Sequence, residues 1–268
     1  MTTRSRKPNL IPQIAIMSVL IVSLCAAIPL MIKDKRSAII VIRIDDIQDY
    51  AFRDAQLYLL EYNIENQIPA SLAIIAREFG ADKLLVETVK SAVHLGSEVV
   101  VHGWEHEDLT QLSLQDQKTR LQNAKRLLRE TLGFDATTLA PPMFNYNEDT
   151  LTAMQVSGYK TVTGLSELQQ QGQLPKGILS IPATIEVSDY TNGTWTIKSL
   201  ESLIKEINTS ILVHSYATIL THPQEFLING TLDQNRVEIY KSLTQYIETY
   251  YFFTTLDRLR EKILQENS

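Results

Sequence analysis

Cysteine is almost absent from this chain of 268 residues: the one example, Cys25, lies inside an apolar run. A single thiol cannot form a disulfide within the chain or build a thiolate metal cage, so any metal must be held by imidazole and carboxylate groups.

Basic clusters are also missing beyond the first few residues, and the net charge is −6. Because such a surface cannot track phosphates, we exclude nucleic acid as a partner.

Glycine-rich nucleotide-binding loops are missing as well. The sequence contains neither Gly-x-Gly-x-x-Gly nor Gly-x-x-x-x-Gly-Lys-Ser/Thr, so it offers no motif for a nucleotide-binding fold. It also shows no internal repeat and no interdomain linker. Residues 38–268 are therefore expected to form one domain, of the size of an α/β barrel of about 250 residues.

One long apolar run, residues 11–32, contains no charged residue. As a helix it would be about 33 Å long, enough to cross a hydrocarbon core of about 30 Å. A cleaved signal peptide is the alternative, but its apolar core usually has only about 7–15 residues. We therefore predict a short basic tail at residues 1–10, an uncleaved transmembrane signal anchor at 11–32 and a linker at 33–37.

The orientation of this anchor is not decided by its flanking charges, because basic residues stand on both sides. The sequons that begin at Asn192, Asn208 and Asn229 fit a domain that faces outward. We expect a single-pass membrane protein whose large domain lies on the extracellular side. The sequence predicts no oligomeric state.

Short β-branched segments alternate with amphipathic ones along the rest of the chain. Strands are predicted at 37–44, 69–75 and 98–101, for example, with a helix at 196–207 and a short strand-like piece at 211–214. This alternation predicts a parallel sheet with helices outside it. About seven such units favour a closed or partly open barrel over an open sheet.

Polar side chains follow several of the predicted strands at their carboxyl ends. Asp45 and Asp46 close the first strand, His102 closes the third, and His222 closes a later apolar run. In parallel barrels, active sites are built on this rim. His106 follows His102 by four positions, and two imidazoles with one carboxylate leave a coordination position open, as catalytic zinc requires. We predict that Asp46, His102 and His106 hold a divalent metal, with zinc as the favoured ion.

The remaining polar residues of the rim suit hydrolysis. A second carboxylate can accept the proton of a metal-activated water, and a histidine opposite can protonate a leaving group; we assign these roles to Asp45 and His222. Trp104, Pro142 and Phe144 are our candidates for substrate binding, with core packing an equal alternative for the two aromatic residues. Taken alone, an Asp-Asp pair after a strand more often caps a helix.

In this order, these residues resemble the polysaccharide deacetylase family of chitin, peptidoglycan and chitooligosaccharide deacetylases, from about residue 38 to the C-terminus. Ile-Asp-Asp at 44–46 is similar to the first motif, His-Gly-Trp-Glu-His at 102–106 to the second, and Ile-Leu-Thr-His-Pro at 219–223 to the last. The resemblance implies a distorted (β/α)7 barrel, a divalent metal, and removal of N-acetyl groups from an extracellular glycan, with Asp45 as base and His222 as acid.

The chain departs from the family pattern at the third and fourth motifs. Ala140 replaces the usual arginine, Met143 and Phe144 replace the tyrosine region, and Asp189 is a poor match to the fourth-motif aspartate. Gly103 stands where the second motif usually has serine or threonine. Two further functions therefore stay open: a metal-dependent hydrolase of a non-glycan amide or an O-acetyl ester, and a barrel that binds glycan without catalysis.

Overall fold

The computed structural model describes residues 37–165 and 174–266. The predicted basic tail and signal anchor, and all but the last residue of the linker, lie outside the described residues. Within these two ranges, no helix is long and apolar enough to cross a membrane.

The main sheet is built from parallel strands, and two short antiparallel hairpins lie outside it. Its strands are β1 (Ile39–Ile47), β2 (Ala70–Ile74), β3 (Glu98–Val101), β4 (Thr138–Leu139), β5 (Thr161–Val162), β6 (Leu179–Ser180), β7 (Ile185–Glu186), β10 (Tyr216–Thr221) and β13 (Phe252–Thr254). The hairpins pair β8 (Ser188–Thr191) with β9 (Thr194–Ile197), and β11 (Leu227–Ile228) with β12 (Thr231–Leu232).

Helices connect most of these strands, as expected when parallel strands follow one another in a sheet. They are α1 (Arg53–Glu65), α2 (Lys83–His94), α3 (Leu114–Leu132), α4 (Glu148–Val156), α5 (Leu200–His214), α6 (Gln234–Tyr250) and α7 (Leu256–Glu266). The strand order is β6-β5-β4-β3-β2-β1-β10-β7, and β13 also pairs with β1. The α/β class and the parallel sheet predicted from the sequence are confirmed.

The sheet curls into a half-barrel with a filled interior. Val41, Ala73 and Val100 come from three adjacent strands and meet in one buried cluster, where Leu256 and Leu259 of α7 also pack. The alternate residues of the same strands face outward and pack with the helices in two larger clusters. Because successive side chains of a strand point to opposite faces, β1 contributes residues both to the inner cluster and to the clusters beneath the helices. The carboxyl ends of the strands then share one rim.

One region differs from the predicted elements. The helix expected at 196–207 begins instead at Leu200, and the strand-like piece at 211–214 forms its last turn. Ser199 sets this start, because its side chain accepts a hydrogen bond from the backbone N–H of Ser202. Thr194–Ile197 is strand β9. The β-branched residues near residue 211 favour a strand locally, but in the folded protein this segment is helical and α5 packs against β10.

Candidate metal centre and active site

The two adjacent aspartates lie on a bulge in β1. The register of β1 against β2 shifts between Ile44 and Ile47, and Asp46 has a φ of 60°. Neighbouring side chains of a regular strand point to opposite faces, but the extra residue and the left-handed backbone of the bulge change this direction. As a result, both carboxylates approach the same imidazole: Nε2 of His102 lies 3.2 Å from Asp46 Oδ1 and 3.9 Å from Asp45 Oδ2.

Two histidines complete a cluster of three metal-ligating side chains. His102 follows β3 directly, and its Nδ1–H donates a hydrogen bond to the carbonyl oxygen of Ala140 over 2.8 Å. This leaves the lone pair of Nε2 available to bind a metal ion. Nε2 of His106 lies 3.3 Å from Asp46 Oδ1. The ligand atoms of Asp46, His102 and His106 all lie within 4.8 Å of one another. The structure thus brings together the three side chains that the sequence selected.

The carboxylate of Asp46 fits a cation better than it fits the protein alone. Its Oδ2 accepts a hydrogen bond of 2.6 Å from Gln224 Nε2, whereas Oδ1 is buried and has no hydrogen-bond partner among the described residues. Burial raises the pKa of Asp46, but the imidazoles of His102 and His106 lower it by more than burial raises it. The net pKa therefore lies well below its ordinary value. A buried, ionised and unpartnered oxygen is costly unless a cation neutralises it. The hydrogen bonds of Gln224 and Ala140 orient two ligands, as outer partners do in metal sites.

Removing one ligand tests this site directly. Wild-type protein is expected to retain about one divalent ion per chain after dialysis, and His106→Ala well below one, because two protein ligands hold such ions poorly. Metal content by mass spectrometry checks this. His94→Ala is the matched control, since His94 is an exposed histidine at the end of α2. Equal metal content in wild type and His106→Ala would contradict the assignment.

A buried guanidinium stands beside the predicted base. Arg43 is fully buried and precedes Asp45 by two positions, so both side chains lie on the inner face of β1. Its Nε donates to Asp45 Oδ1 over 2.7 Å, and its Nη2 pairs with Oδ2. Nη1 donates to the carbonyl oxygen and the hydroxyl of Thr163, over 2.8 and 3.0 Å. Burial raises the pKa of Asp45, but the charge and hydrogen bonds of Arg43, together with the charges of His102 and His222, outweigh burial, so the net pKa is lowered and Asp45 is held ionised.

His222 is held by a carboxylate of its own. Its Nδ1–H donates to Glu225 Oε1 over 2.8 Å, and Glu225 Oε2 accepts from the hydroxyl of Thr221 over 2.8 Å. Burial lowers the pKa of His222, but the hydrogen bond and charge of Glu225, with the charges of Asp45 and Asp46, raise it to about 9. His222 is therefore protonated at neutral pH, and Nε2 is left for a substrate.

The three predicted substrate-binding residues occupy different surroundings. Trp104 is partly buried against the main core cluster, which matches the packing alternative. Phe144 is partly exposed, and its ring centroid lies 5.7 Å from the guanidinium carbon of Arg43. Pro142 is buried, and a side chain added at Gly103 would approach its Cγ to 2.9 Å. This contact and the φ of +74° explain why glycine replaces serine or threonine at position 103.

Three residues of the site were not predicted from the sequence: Arg43, Gln224 and Glu225. The spacing Arg43-x-Asp45 in a strand places both side chains on one face, and Glu225 follows His222 by three positions, so two of them carried a local signal. Gln224 carried none, because its partner Asp46 lies 178 positions away in the chain.

Known proteins resemble part of this chain. Residues 33–162 match the family model described as polysaccharide deacetylase. A peptidoglycan deacetylase-like protein of Gibberella zeae, FGM2, is 31% identical over 144 residues, which is 53% of this chain and 41% of that protein. The matches span about two fifths of the length of the curated relatives. Over residues 33–162, which are 130 of the 268 residues, the chain is similar to the polysaccharide deacetylase family.

Solved structures show the same fold over most of the chain. Peptidoglycan deacetylase PdaC from Bacillus subtilis is 16% identical, with a TM-score of 0.56 over 87% of this chain and 95% of its own. A CE4 family pseudoenzyme from Bacillus anthracis is 15% identical, with a TM-score of 0.57 over 83% of this chain and 65% of its own. At this identity the likeness concerns the fold alone. His222 lies beyond the matched residues 33–162, so its assignment depends on the geometry described above.

Proposed function

We propose that this protein is a metal-dependent deacetylase that removes N-acetyl groups from an extracellular glycan. The observation that carries the proposal is the convergence of Asp46, His102 and His106 beside an ionised Asp45 and a protonated His222. Asp46, His102 and His106 would hold a divalent cation, zinc by the nature of the donors, which when bound would polarise the acetyl carbonyl and make a nearby water more acidic.

The other groups move protons. Asp45 is ionised and oriented by Arg43, so it can accept a proton from the water that attacks the acetyl carbon. When the carbon–nitrogen bond breaks, His222 can donate its Nε2 proton to the leaving amine, while Glu225 stabilises the charged imidazole. The products are acetate and a free amine on the sugar.

The alternatives differ in how the structure bears on them. A barrel that binds glycan without turnover was motivated by the missing arginine at Ala140, which follows β4. Arg43 supplies a guanidinium to Asp45 from β1 itself. A protein of this fold is described as a pseudoenzyme, so the fold alone does not show turnover. Hydrolysis of O-acetyl esters or small amides would use the same groups, and a panel of N- and O-acetylated compounds separates these substrates.

Replacing the base tests the mechanism. Asp45→Asn is expected to retain metal and to lose about 100-fold to 10,000-fold in turnover, because the amide cannot accept the proton. Acetate release from N-acetylated oligosaccharides measures turnover, and mass spectrometry measures metal. Asp54→Asn, which removes an exposed carboxylate from the first turn of α1, is the control. Full activity of Asp45→Asn would show that another group is the base.

We further propose that residues 11–32 anchor the chain in a membrane, with the barrel on the extracellular side. The length of the apolar run and the three sequons support this. Protease accessibility in sealed cells tests it: a barrel that is cleaved only after the cells are opened would place it on the cytoplasmic side.

A further inference from the structure

The amino ends of the strands lie opposite to the candidate active site, and large apolar side chains are exposed at this end of the half-barrel. Leu212 and Val213, in the last turn of α5, are 86% and 69% exposed, the highest values among the large apolar side chains of the described residues. Phe252, which is 59% exposed, begins β13 and pairs with Ile39 at the start of β1. Exposed apolar groups that lie together mark a surface that binds a protein or a membrane.

A groove connects this end of the barrel to the start of the described chain. Its volume is about 520 Å³, and it lies between the start of β1, the end of α5 and the last turns of α7. Its apolar lining consists of Ala38, Ile39, Ile211, Tyr216, Leu259 and Ile263. Lys262 and Glu266, which are 3.8 Å apart, also line it. Ser37 belongs to the same lining, so the chain enters the barrel at this groove.

The length of chain before Ser37 limits how far this end of the barrel can lie from a membrane. Four residues, 33–36, separate the apolar run 11–32 from Ser37. A peptide extends at most about 3.6 Å per residue, so the five steps from residue 32 to Ser37 cover no more than about 18 Å. The headgroup layer on each side of the hydrocarbon core is about 5–8 Å thick. If residues 11–32 span a membrane, Ser37 therefore lies at most about 10–13 Å beyond the headgroups.

We propose that the exposed side chains of Leu212, Val213 and Phe252, together with this groove, rest on the surface of the membrane in which the chain is anchored. We call this surface the strand-start face. Its apolar side chains would enter the headgroup layer, and the three basic residues among 33–36 suit anionic headgroups. The inference rests on the proposed anchor and orientation and is independent of the deacetylase chemistry.

This orientation directs the candidate metal centre away from the lipid. Asp46 follows Ile39 by seven positions in β1, and a strand rises about 3.3 Å per residue, so Asp46 lies about 20 Å farther along the strand. The rim of strand ends would then open outward. A substrate would be met beyond the membrane surface and not within the lipid layer.

Fluorescence quenching of the full chain in lipid nanodiscs tests this contact. The discs contain equal parts of phosphatidylcholine and phosphatidylglycerol with a nitroxide on some headgroups, and Cys25→Ala removes the native thiol. A fluorophore on Ser215→Cys, an exposed position of the groove, is expected to lose at least about half of its emission, because groups at a membrane surface lie within about 10 Å of the headgroups. The same fluorophore on Tyr50→Cys, an exposed position after β1 near the opposite rim, should lose little.

A charged variant separates the strand-start face from the tether, because residues 33–36 alone would leave the barrel free to turn. Leu212→Glu with Val213→Glu should lower quenching at residue 215 to the level at residue 50, since carboxylates are repelled by anionic lipid. Both side chains are exposed, so the fold should persist. Leu84→Glu, at an exposed leucine in the first turn of α2, is the matched control. Equal quenching with and without the two glutamates would overturn the proposal.

Retention of the chain by the discs, measured in parallel, tests the anchor separately. A retained chain without quenching at residue 215 would overturn the strand-start face and leave the anchor in place, whereas a chain that is not retained would contradict both. In detergent, a dimer that dissociates in the Leu212→Glu, Val213→Glu variant would assign this surface to a second copy of the chain and also overturn the proposal. Acetate release by the same samples reports on the deacetylase proposal independently.

Discussion

Replacing Arg43 by methionine is expected to lower the free energy of unfolding by about 3–5 kcal/mol, because it leaves a buried carboxylate without its cation. Asp45 is 1% exposed, and both of its oxygens are bound by Arg43. Turnover should also fall by at least about 100-fold, since the base is neither oriented nor held ionised in the variant. Chemical denaturation and acetate release measure the two effects.

The pH dependence of this loss identifies its cause. A carboxyl whose folded pKa is depressed stabilises the fold above its unfolded pKa of about 3.9, and this contribution is lost as the pH falls through the folded value. In metal-free protein, the difference in stability between wild type and Arg43→Met should therefore be largest at neutral pH and shrink toward pH 4. A difference independent of pH would indicate lost packing rather than the ion pair.

Two further variants serve as controls for Arg43. The double variant Arg43→Met with Asp45→Asn removes both charges, so it should regain much of the stability but none of the activity. Arg43→Lys keeps a charge but cannot form the two parallel hydrogen bonds to Asp45 or reach Thr163 in the same geometry. It should lie between wild type and Arg43→Met in both measurements. Full activity of Arg43→Met would show that Asp45 needs no partner.

The second large effect is expected for Glu225→Gln. Without the carboxylate, the pKa of His222 should fall from about 9 toward the ordinary histidine value of about 6.5. The acid form would then be scarce at pH 8, where kcat/KM should drop about 30-fold, whereas near pH 5.5 the variant and wild type should be similar. The pH profile of kcat/KM measures this shift of the basic limb.

The raised pKa of His222 also predicts how the free energy of unfolding changes with pH. A histidine whose folded pKa is raised stabilises the fold fully below its unfolded pKa of about 6.5, and this contribution is lost as the pH rises through about 9. Wild type should therefore lose stability across that window, and Glu225→Gln should not. Glu186→Gln is the control, because Glu186 is a half-buried carboxyl near His222 that does not take part in its hydrogen bond. An unchanged pH profile in Glu225→Gln would exclude Glu225 as the partner that tunes the acid.

The hairpin of β8 and β9 shows why part of the fold escaped prediction. The Asn192-Gly193 turn is a strong hairpin signal, but the flanking strands are short. The apolar residues of the following helix recur at helical spacing, and this pattern includes the last residues of β9. The predicted helix at 196–207 consequently overlapped β9. Boundaries of this kind depend on which neighbour a segment packs against, and sequence periodicity alone does not contain that information.

The sequence by itself determined the alternation of strands and helices and the positions of Asp45, Asp46, His102, His106 and His222 at the ends of apolar runs. These are local properties, because strand period and strand end can be read from neighbouring residues. Tertiary structure decided which polar groups meet: the bulge that turns Asp46 toward the histidines, the bonds of Arg43 to Thr163, 120 positions away, and the stacking of Trp195 on His222. Such contacts arise only when parallel strands that are distant in the chain align their carboxyl ends on one rim.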